Sequence, residues 1–291
     1  MPNDTQQITD EQVRLCKEYA ANPVKFSELF ENTGLSGERL NWIVRLGCLK
    51  FTKAHHKNAV ESYLHHDKLI HLWCDRSEKW VFESVIMLWE AIFRFDKIVM
   101  YVEHMPVTAP AQIRIASDRQ INKYSKVTDM EWLVCSLYQS LPEWLRGLCP
   151  AQYDTDIIKF KNGSRIIFVD SSKSNYRGYN PNVLVLHGVN KMPDDEFRSF
   201  ISTHFQSFFI NNPAKFHAVL SSEGGERGTL FEGLCKVATD ITKNPDVQAG
   251  ANGWVLDVVR HDDLPPDELA LALGGKSYEQ ERPWAYSAEF L

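Results

Sequence analysis

The sequence predicts an α/β protein with a mostly parallel sheet and helices on both faces of that sheet. Short apolar runs that are typical of buried strands alternate with helical segments between residues 68 and 258, as expected for a parallel sheet. The most apolar run, residues 182–186 (NVLVL), lacks the polar positions of a half-exposed strand. We therefore expect it to form a central strand that is covered on both faces.

Length, composition and charge narrow the class of protein. The chain has 291 residues, of which 44% are hydrophobic, and a formal net charge of -6. It can therefore bury a full core, and it has no overall basic character. Its six cysteines lack Cys-x-x-Cys spacing, which indicates reduced thiols of a cytoplasmic protein. No apolar run approaches the length of a membrane helix and no signal peptide is recognisable, so we expect a soluble protein that is not exported.

The first 55 residues are predicted to be a separate helical segment, and residues 56–291 are predicted to be the α/β domain. Thr9 is placed to cap a first helix, which ends before Pro23.

Residues 25–51 have the layout of a helix-turn-helix unit, in which the second helix would enter a DNA groove. Few basic residues accompany Arg39 and Arg45 on the exposed face of that second helix. A plain helical hairpin packed on the next domain is therefore the favoured interpretation.

Two pairs of adjacent histidines, His55-His56 and His65-His66, follow this hairpin. Adjacent histidines point in different directions on a helix, and no cysteine or carboxylate stands at ligand spacing. We expect a solvated, mildly basic surface here, not a metal site.

A strand, a loop and a helix begin the α/β domain in the order of a P-loop. Residues 69–73 are predicted to form the strand and residues 81–93 the helix. Lys79 stands just before the helix N-terminus, where cations and backbone amides bind phosphate, and Arg76 adds a second cation. The loop has no glycine, and Trp80 replaces the Ser or Thr that binds magnesium. An ordinary strand-helix turn with surface charges is the alternative.

The remaining segments continue the alternation of strands and helices. An Asn-Gly turn at residues 162–163 between two apolar runs predicts a β-hairpin. The predicted strands are residues 97–103, 156–160, 165–169, 183–186, 215–220 and 254–258. The predicted helices are residues 111–124, 130–138, 196–209 with an acidic cap at 194–196, a segment after Thr229, and residues 267–273. Residues 142–150 are expected to form a connecting turn, and residues 277–291 an aromatic tail.

Several short motifs in a fixed order resemble the ATPase domain of the large terminase subunit of tailed bacteriophages, a family that packages viral DNA into procapsids. The motifs are Lys79 after a strand, NGSRI at residues 162–166, RGY at 177–179, the apolar strand 183–186, Ser221-Ser222, and YEQERP at 278–283. The resemblance covers residues 69–291 and implies a P-loop NTPase-like fold.

The resemblance implies a phosphate-binding role for three residues. Residues 74–79 would form the Walker A-like loop, in which Arg76 and Lys79 contact phosphate. Arg177 precedes the apolar strand and would face phosphate or the neighbouring β-hairpin.

The resemblance also implies roles at the ends of the later strands. His187 and Gly188 stand at the Walker B end, where the family has Asp-Glu. Ser221 and Ser222 match the coupling motif, which senses the nucleotide and passes movement onward. Residues 279–283 match the segment that closes the ATPase domain, with Arg282 in place of a more usual aromatic residue.

These departures from the family pattern determine the expected function. Without the hydroxyl and both carboxylates, hydrolysis should be near background. We expect a pseudo-ATPase that is a binding or structural component of the packaging machinery. No metal ligand or catalytic residue is assigned, and ATP and Mg²⁺ are cofactors only if the degenerate site still functions.

The expected partners are double-stranded DNA and the portal, the procapsid or other terminase subunits, in the host cytoplasm and not at a membrane. The family's nuclease domain, which would follow the tail, is expected to be absent.

Two alternative functions remain open from the sequence. One is an active packaging ATPase that recruits carboxylates from elsewhere, such as Asp194, Asp195 or Glu223. The other is a helix-turn-helix DNA-binding regulator, in which the α/β domain serves dimerisation or ligand binding.

Overall fold

A computed structural model describes residues 8–31, 50–51, 53–74, 77–103, 129–154, 156–171, 179–211, 216–222, 228–242, 244–260 and 263. The helices are α1 (Asp10–Ala21), α2 (Pro23–Ser27), α3 (Ala54–His65), α4 (Lys79–Phe93), α5 (Asp129–Ser140), α6 (Glu143–Leu148), α7 (Asp194–Ser199), α8 (Gln206–Asn211) and α9 (Leu230–Val237). The strands are β1 (Lys68–Trp73), β2 (Ile98–Glu103), β3 (Ala151–Asp154), β4 (Ile157–Phe160), β5 (Arg165–Asp170), β6 (Val183–His187), β7 (His217–Ser222), β8 (Thr239–Asp240) and β9 (Val255–Val259).

All the described strands belong to one sheet, in the order β3-β4-β5-β2-β6-β7-β1-β9-β8. The β3–β4 and β4–β5 pairs are antiparallel, and every other pair is parallel. The predicted mostly parallel sheet is therefore confirmed. The predicted central strand is also confirmed, because all five residues of β6 are buried.

Two apolar layers cover the sheet, one on each face. Alternate strand residues such as Val183 and Val185 pack with α3, α4 and α5 on one face. The intervening residues, such as Leu184 and Leu186, pack with α7, α8 and α9 on the other. This two-sided burial explains the unbroken apolar run of β6, since neither face of a central parallel strand meets water.

The predicted start of the first helix, after Thr9, is confirmed by a capping box. The Thr9 side chain accepts a hydrogen bond from the Gln12 amide, and the Gln12 side chain accepts one from the Thr9 amide. The next helix, α2, packs on the main domain through Phe26, whose ring lies 5.2 Å from that of Phe93 in α4. Most of the proposed helix-turn-helix, residues 32–49, lies outside the described residues.

The predicted β-hairpin is confirmed and fastened to the end of α4. The Asn162 side chain donates hydrogen bonds to the carbonyl groups of Ala91, Ile92 and Arg94. The Ser164 hydroxyl donates to the Arg94 carbonyl as well. Gly163 has a φ of +88°, which favours glycine. The Asn-Gly-Ser turn therefore closes the hairpin and also caps a helix that lies far away in sequence.

Some predicted boundaries are wrong. Residues 142–150 are not only a turn, because they contain α6, a helix too short to show a helical period. The predicted helix 196–209 begins at Asp194 and is interrupted by a π-helical segment, Phe200–Phe205. The short strands β3 and β8 were not predicted. The predicted helices 111–124 and 267–273 and the aromatic tail lie outside the described residues.

Among the described helices, none is long and apolar enough to cross a membrane.

Candidate functional site

A row of polar residues crosses the sheet beneath α4. The strand registers place His187 of β6 opposite Ser221 of β7, Ser221 opposite His71 of β1, and His71 opposite Asp257 of β9. On the other side, Glu103 of β2 stands opposite His187. Four of these five residues, all except Glu103, are buried. Because buried polar groups need partners, this row marks the candidate site.

The loop between β1 and α4 begins at the carboxyl end of β1, next to this row of polar residues. Glu78 precedes α4 in the left-handed conformation, with φ 61° and ψ 36°. A Walker A sequence has a glycine just before its lysine, and glycine adopts this conformation without cost. Lys53 forms an ion pair of 3.2 Å with Glu78. Glu78 thus adopts a backbone conformation typical of glycine, and Lys53, the residue before α3, contacts its side chain.

The histidine pair at the start of α3 also holds this loop. The Nε2 atoms of His55 and His56 lie 2.8 Å and 3.1 Å from the Ser77 carbonyl oxygen. His56 is fully buried, and burial lowers the pKa of His56 well below its usual value. The predicted solvated surface is therefore wrong for His56, which is buried, whereas His55 is half-buried. Both rings pack near Trp73 and Ser77.

The two histidines of the second pair differ in their exposure to solvent. His65 is exposed, as predicted, whereas His66 is buried and its Nε2 atom lies 2.9 Å from the Pro245 carbonyl oxygen. The sequence prediction failed for His66 because a segment far away in the chain covers it.

The predicted phosphate-binding residues are only partly within the described chain. Lys79 is the first residue of α4 and its exposed fraction is 3%. Arg76 and Arg177 lie outside the described residues.

A buried side-chain contact of the site joins α4 to β6. The Nδ1 atom of His187 lies 3.1 Å and 3.3 Å from the two carboxylate oxygens of Glu83. The side chain of Glu83 is fully buried, and that of His187 has an exposed fraction of 5%. Burial raises the pKa of Glu83, but His187, Ser221 and Lys79 outweigh burial and hold that pKa below its usual value. Glu83 is therefore a buried carboxylate in its charged form.

The ring of Trp80 packs against the same histidine. The ring centres of Trp80 and His187 are 4.4 Å apart, and Tyr101 approaches His187 from β2 at 6.0 Å. The resemblance described in the sequence analysis would place Trp80 and His187 at the two positions from which a P-loop enzyme supplies its magnesium ligands. Here the two side chains contact each other.

Ser221 and Ser222 are the last two residues of β7, which extends two residues beyond the predicted strand 215–220. Both are fully buried, because β7 continues its pairing with β1 up to Ser222. Ser221 stands between His187 and His71 in the polar row and lowers the pKa of Glu83. Gly188 follows β6 in the left-handed conformation with a φ of 71°.

His71 is a further buried group of the row. Burial lowers the pKa of His71 to about 4, so this imidazole is neutral near pH 7. Its ring stacks on Trp73 at 4.7 Å, and within the described part of the chain neither ring nitrogen has a hydrogen-bond partner.

The described residues contain no cluster of three or more side chains that could hold a metal ion. The acidic residues 194–196 form the first turn of α7, as predicted. The Asp194 carboxylate accepts a hydrogen bond of 3.0 Å from the Leu230 amide, so it joins α7 to α9. Glu223 lies outside the described residues.

Sequence reasoning missed Glu83 and the role of His55 and His56. One signal was present for Glu83: it follows Lys79 by four residues, so both side chains lie on the same helix face. No sequence signal connects His55 or His56 to Ser77, because that contact depends on how α3 packs.

No protein-family model and no curated protein matches this chain in sequence. Solved structures do match it. A variant of the large terminase ATPase domain of Thermus phage P74-26 aligns with a TM-score of 0.55 and 12% identity, over 78% of this chain and 90% of that chain. The HK97 bacteriophage large terminase aligns with a TM-score of 0.56 and 10% identity, over 90% of this chain but only 49% of that protein.

At these identities the likeness concerns the fold. The chain has the P-loop NTPase-like fold of large terminase ATPase domains, which confirms the resemblance found in the sequence at the level of fold. The described chain spans about half of the length of the HK97 protein.

Proposed function

We propose that this chain is a component of a viral DNA-packaging motor, and that its nucleotide site no longer hydrolyses ATP. The fold of large terminase ATPase domains supports the first part. The contact between Trp80 and His187, at a ring distance of 4.4 Å, supports the second.

The residues of this site do not fit a magnesium ion. Magnesium in a P-loop site is held by a Ser or Thr hydroxyl after the lysine and by a carboxylate at the end of a neighbouring strand. This chain has an indole and an imidazole at the corresponding positions, and the centres of the two rings are 4.4 Å apart. The one carboxylate beside them, Glu83, is already paired with His187. We therefore propose that this site supplies no hydrolytic step.

The proposed role is to bind packaging components and not to generate force by hydrolysis. The proposed partners are double-stranded DNA and the portal, the procapsid or another terminase subunit. A catalytic subunit elsewhere in the motor would supply hydrolysis. The proposed coupling residues, Ser221 and Ser222, end β7 and are both fully buried.

Calorimetric titration of the purified protein with ATP, with and without Mg²⁺, tests the loss of hydrolysis when phosphate release is measured on the same samples. We expect no magnesium-dependent binding and no release above background. A Lys79→Ala variant serves as the matched control. Magnesium-dependent turnover that disappears in this variant would show that the chain is an active ATPase.

Association with packaging components is tested separately from nucleotide chemistry. The purified chain is mixed with double-stranded DNA over a range of salt concentrations, and then with purified portal and catalytic terminase subunit. We expect binding to at least one of these partners, and phosphate contacts would make DNA binding fall with salt. Absence of binding to all of them would contradict the proposed role.

A further inference from the structure

The buried Glu83 carboxylate requires a cation. Its side chain has no exposure to solvent, and an unpaired buried carboxylate is costly. Its hydrogen-bond partner is the Nδ1 atom of His187, at 3.1 Å and 3.3 Å from the two carboxylate oxygens. Lys79, one helical turn earlier, also lowers the pKa of Glu83.

The Glu83–His187 contact joins two elements of the fold, α4 and β6. His187 is the last residue of β6, and Trp80 lies in the first turn of α4. In P-loop enzymes a divalent cation connects these two elements. In this chain the connection is the direct contact between Glu83 of α4 and His187 of β6.

We propose that the direct contact of the His187 imidazole with the Glu83 carboxylate takes the place of a divalent cation between α4 and β6. The connection between these two elements is then independent of any nucleotide. A carboxylate at residue 187 would remove the imidazole and leave a pair of carboxylates. Paired carboxylates with room for water suit Mg²⁺ or Mn²⁺.

This inference goes beyond the proposed function, since it requires neither nucleotide nor DNA. Its test therefore succeeds or fails independently of any role in packaging.

The experiment compares the full-length protein with the His187→Asp and His187→Asn variants. Asp and Asn have nearly the same shape, so the Asn variant is a matched control that removes the imidazole without adding a charge. Thermal unfolding is followed with a chelator and with millimolar MgCl₂ or MnCl₂ alone. We expect both variants to unfold at a lower temperature than the original protein in the chelator. Added cation should raise the unfolding temperature of the Asp variant by about 3–8 °C.

The original protein and the Asn variant should be unaffected by either cation. Glu83→Gln in the His187→Asp background should abolish the response, and bound Mn²⁺ should be visible by electron paramagnetic resonance only when both carboxylates are present. An Asp variant that does not respond to either cation would overturn the proposal, as would an equal response of the Asn variant or of the original protein.

A second measurement covers the case in which the Asp variant does not fold. Glu83→Gln and His187→Asn are made singly and together, and the unfolding temperatures form a double-mutant cycle. If the two residues form one ion pair, the double variant loses less than the sum of the two single losses. Additive losses would overturn the proposal.

Discussion

The Nδ1 atom of His187 lies 3.1 Å from the Oε2 atom of Glu83, and both side chains are almost completely buried. The two residues are separated by 104 positions in the sequence. Their contact connects α4 to β6, a central strand of the sheet. It also explains why a histidine is tolerated at the buried end of this strand, since a buried polar group needs a partner.

Removal of His187 should be strongly destabilising. The His187→Ala variant leaves Glu83 buried without its partner, and loss of one member of a buried pair costs about 3–5 kcal/mol. The free energy of unfolding, measured by urea denaturation, should fall by about that amount. Lys159→Ala is the control, because its ion pair with Asp154 is exposed and its loss should cost at most about 1 kcal/mol. Equal effects of the two substitutions would contradict the importance of the buried pair.

The lowered pKa of Glu83 predicts acid sensitivity. A carboxyl group with a lowered pKa in the folded state stabilises the protein above its unfolded-state pKa, near 4.5. This contribution is lost as pH falls through the lower folded-state pKa. Urea denaturation below pH 4.5 should therefore show a steeper loss of stability for the original protein than for Glu83→Gln. Parallel pH profiles for the two proteins would refute this assignment.

Asp257 should have the opposite effect on the pH profile. Burial raises the pKa of Asp257 to about 7, although the hydrogen bond from the Trp73 indole, at 2.9 Å, opposes this shift. The folded protein therefore holds a proton that the unfolded chain releases near pH 4. The free energy of unfolding should fall as pH rises from about 4 to about 7, by about 1.4 kcal/mol per pH unit.

The Asp257→Asn variant tests this effect of pH. Asn retains an acceptor for the Trp73 indole and cannot ionise, so its stability should not decline over this pH range. Asp246→Asn is a control on an exposed carboxylate, and it should keep the decline. If Asp257→Asn declines as the original protein does, another group is responsible.

The His55–His56 contact with Ser77 should determine the order of the loop before α4. Substitution of both histidines by Ala removes the two groups beside the Ser77 carbonyl oxygen. Stability should fall by about 1–3 kcal/mol, and amides at residues 77–80 should exchange their hydrogens faster. His65→Ala is the matched control on the same helix, since that ring is exposed. Unchanged exchange in the double variant would mean that other contacts fix the loop.

Gly163 should not tolerate a side chain. A Cβ atom there would meet the carboxylate of Asp96, and the φ of +88° is strained for any other residue. Gly163→Ala should therefore lower the free energy of unfolding by about 1–3 kcal/mol. Gly233→Ala in α9 is a useful comparison, because a Cβ there meets nothing within 4 Å and Ala should stabilise the helix by about 0.5–1 kcal/mol. Similar values for both variants would contradict the strain argument.

Much of the architecture was predictable because it depends on local patterns. Period-two and continuous apolar runs predicted seven strands that the structure contains. Thr9, Thr229 and the Asn-Gly turn marked two helix starts and a hairpin. Elements without a pattern of sufficient length were missed. The six-residue helix α6 and the two-residue strand β8 are examples, since neither is long enough to show a period.

The sequence by itself determined the fold class and the order of the strands and helices along the chain, and it predicts that Trp80 and His187 stand in place of magnesium ligands. Those features depend on residue type and on spacing along the chain. The tertiary structure alone decided that His187 faces Glu83, that His55 and His56 hold Ser77, and that five strands align one polar row. The physical reason is that register between parallel strands and the packing of helices are fixed by contacts between distant segments. A buried charge acquires its partner only when those segments meet.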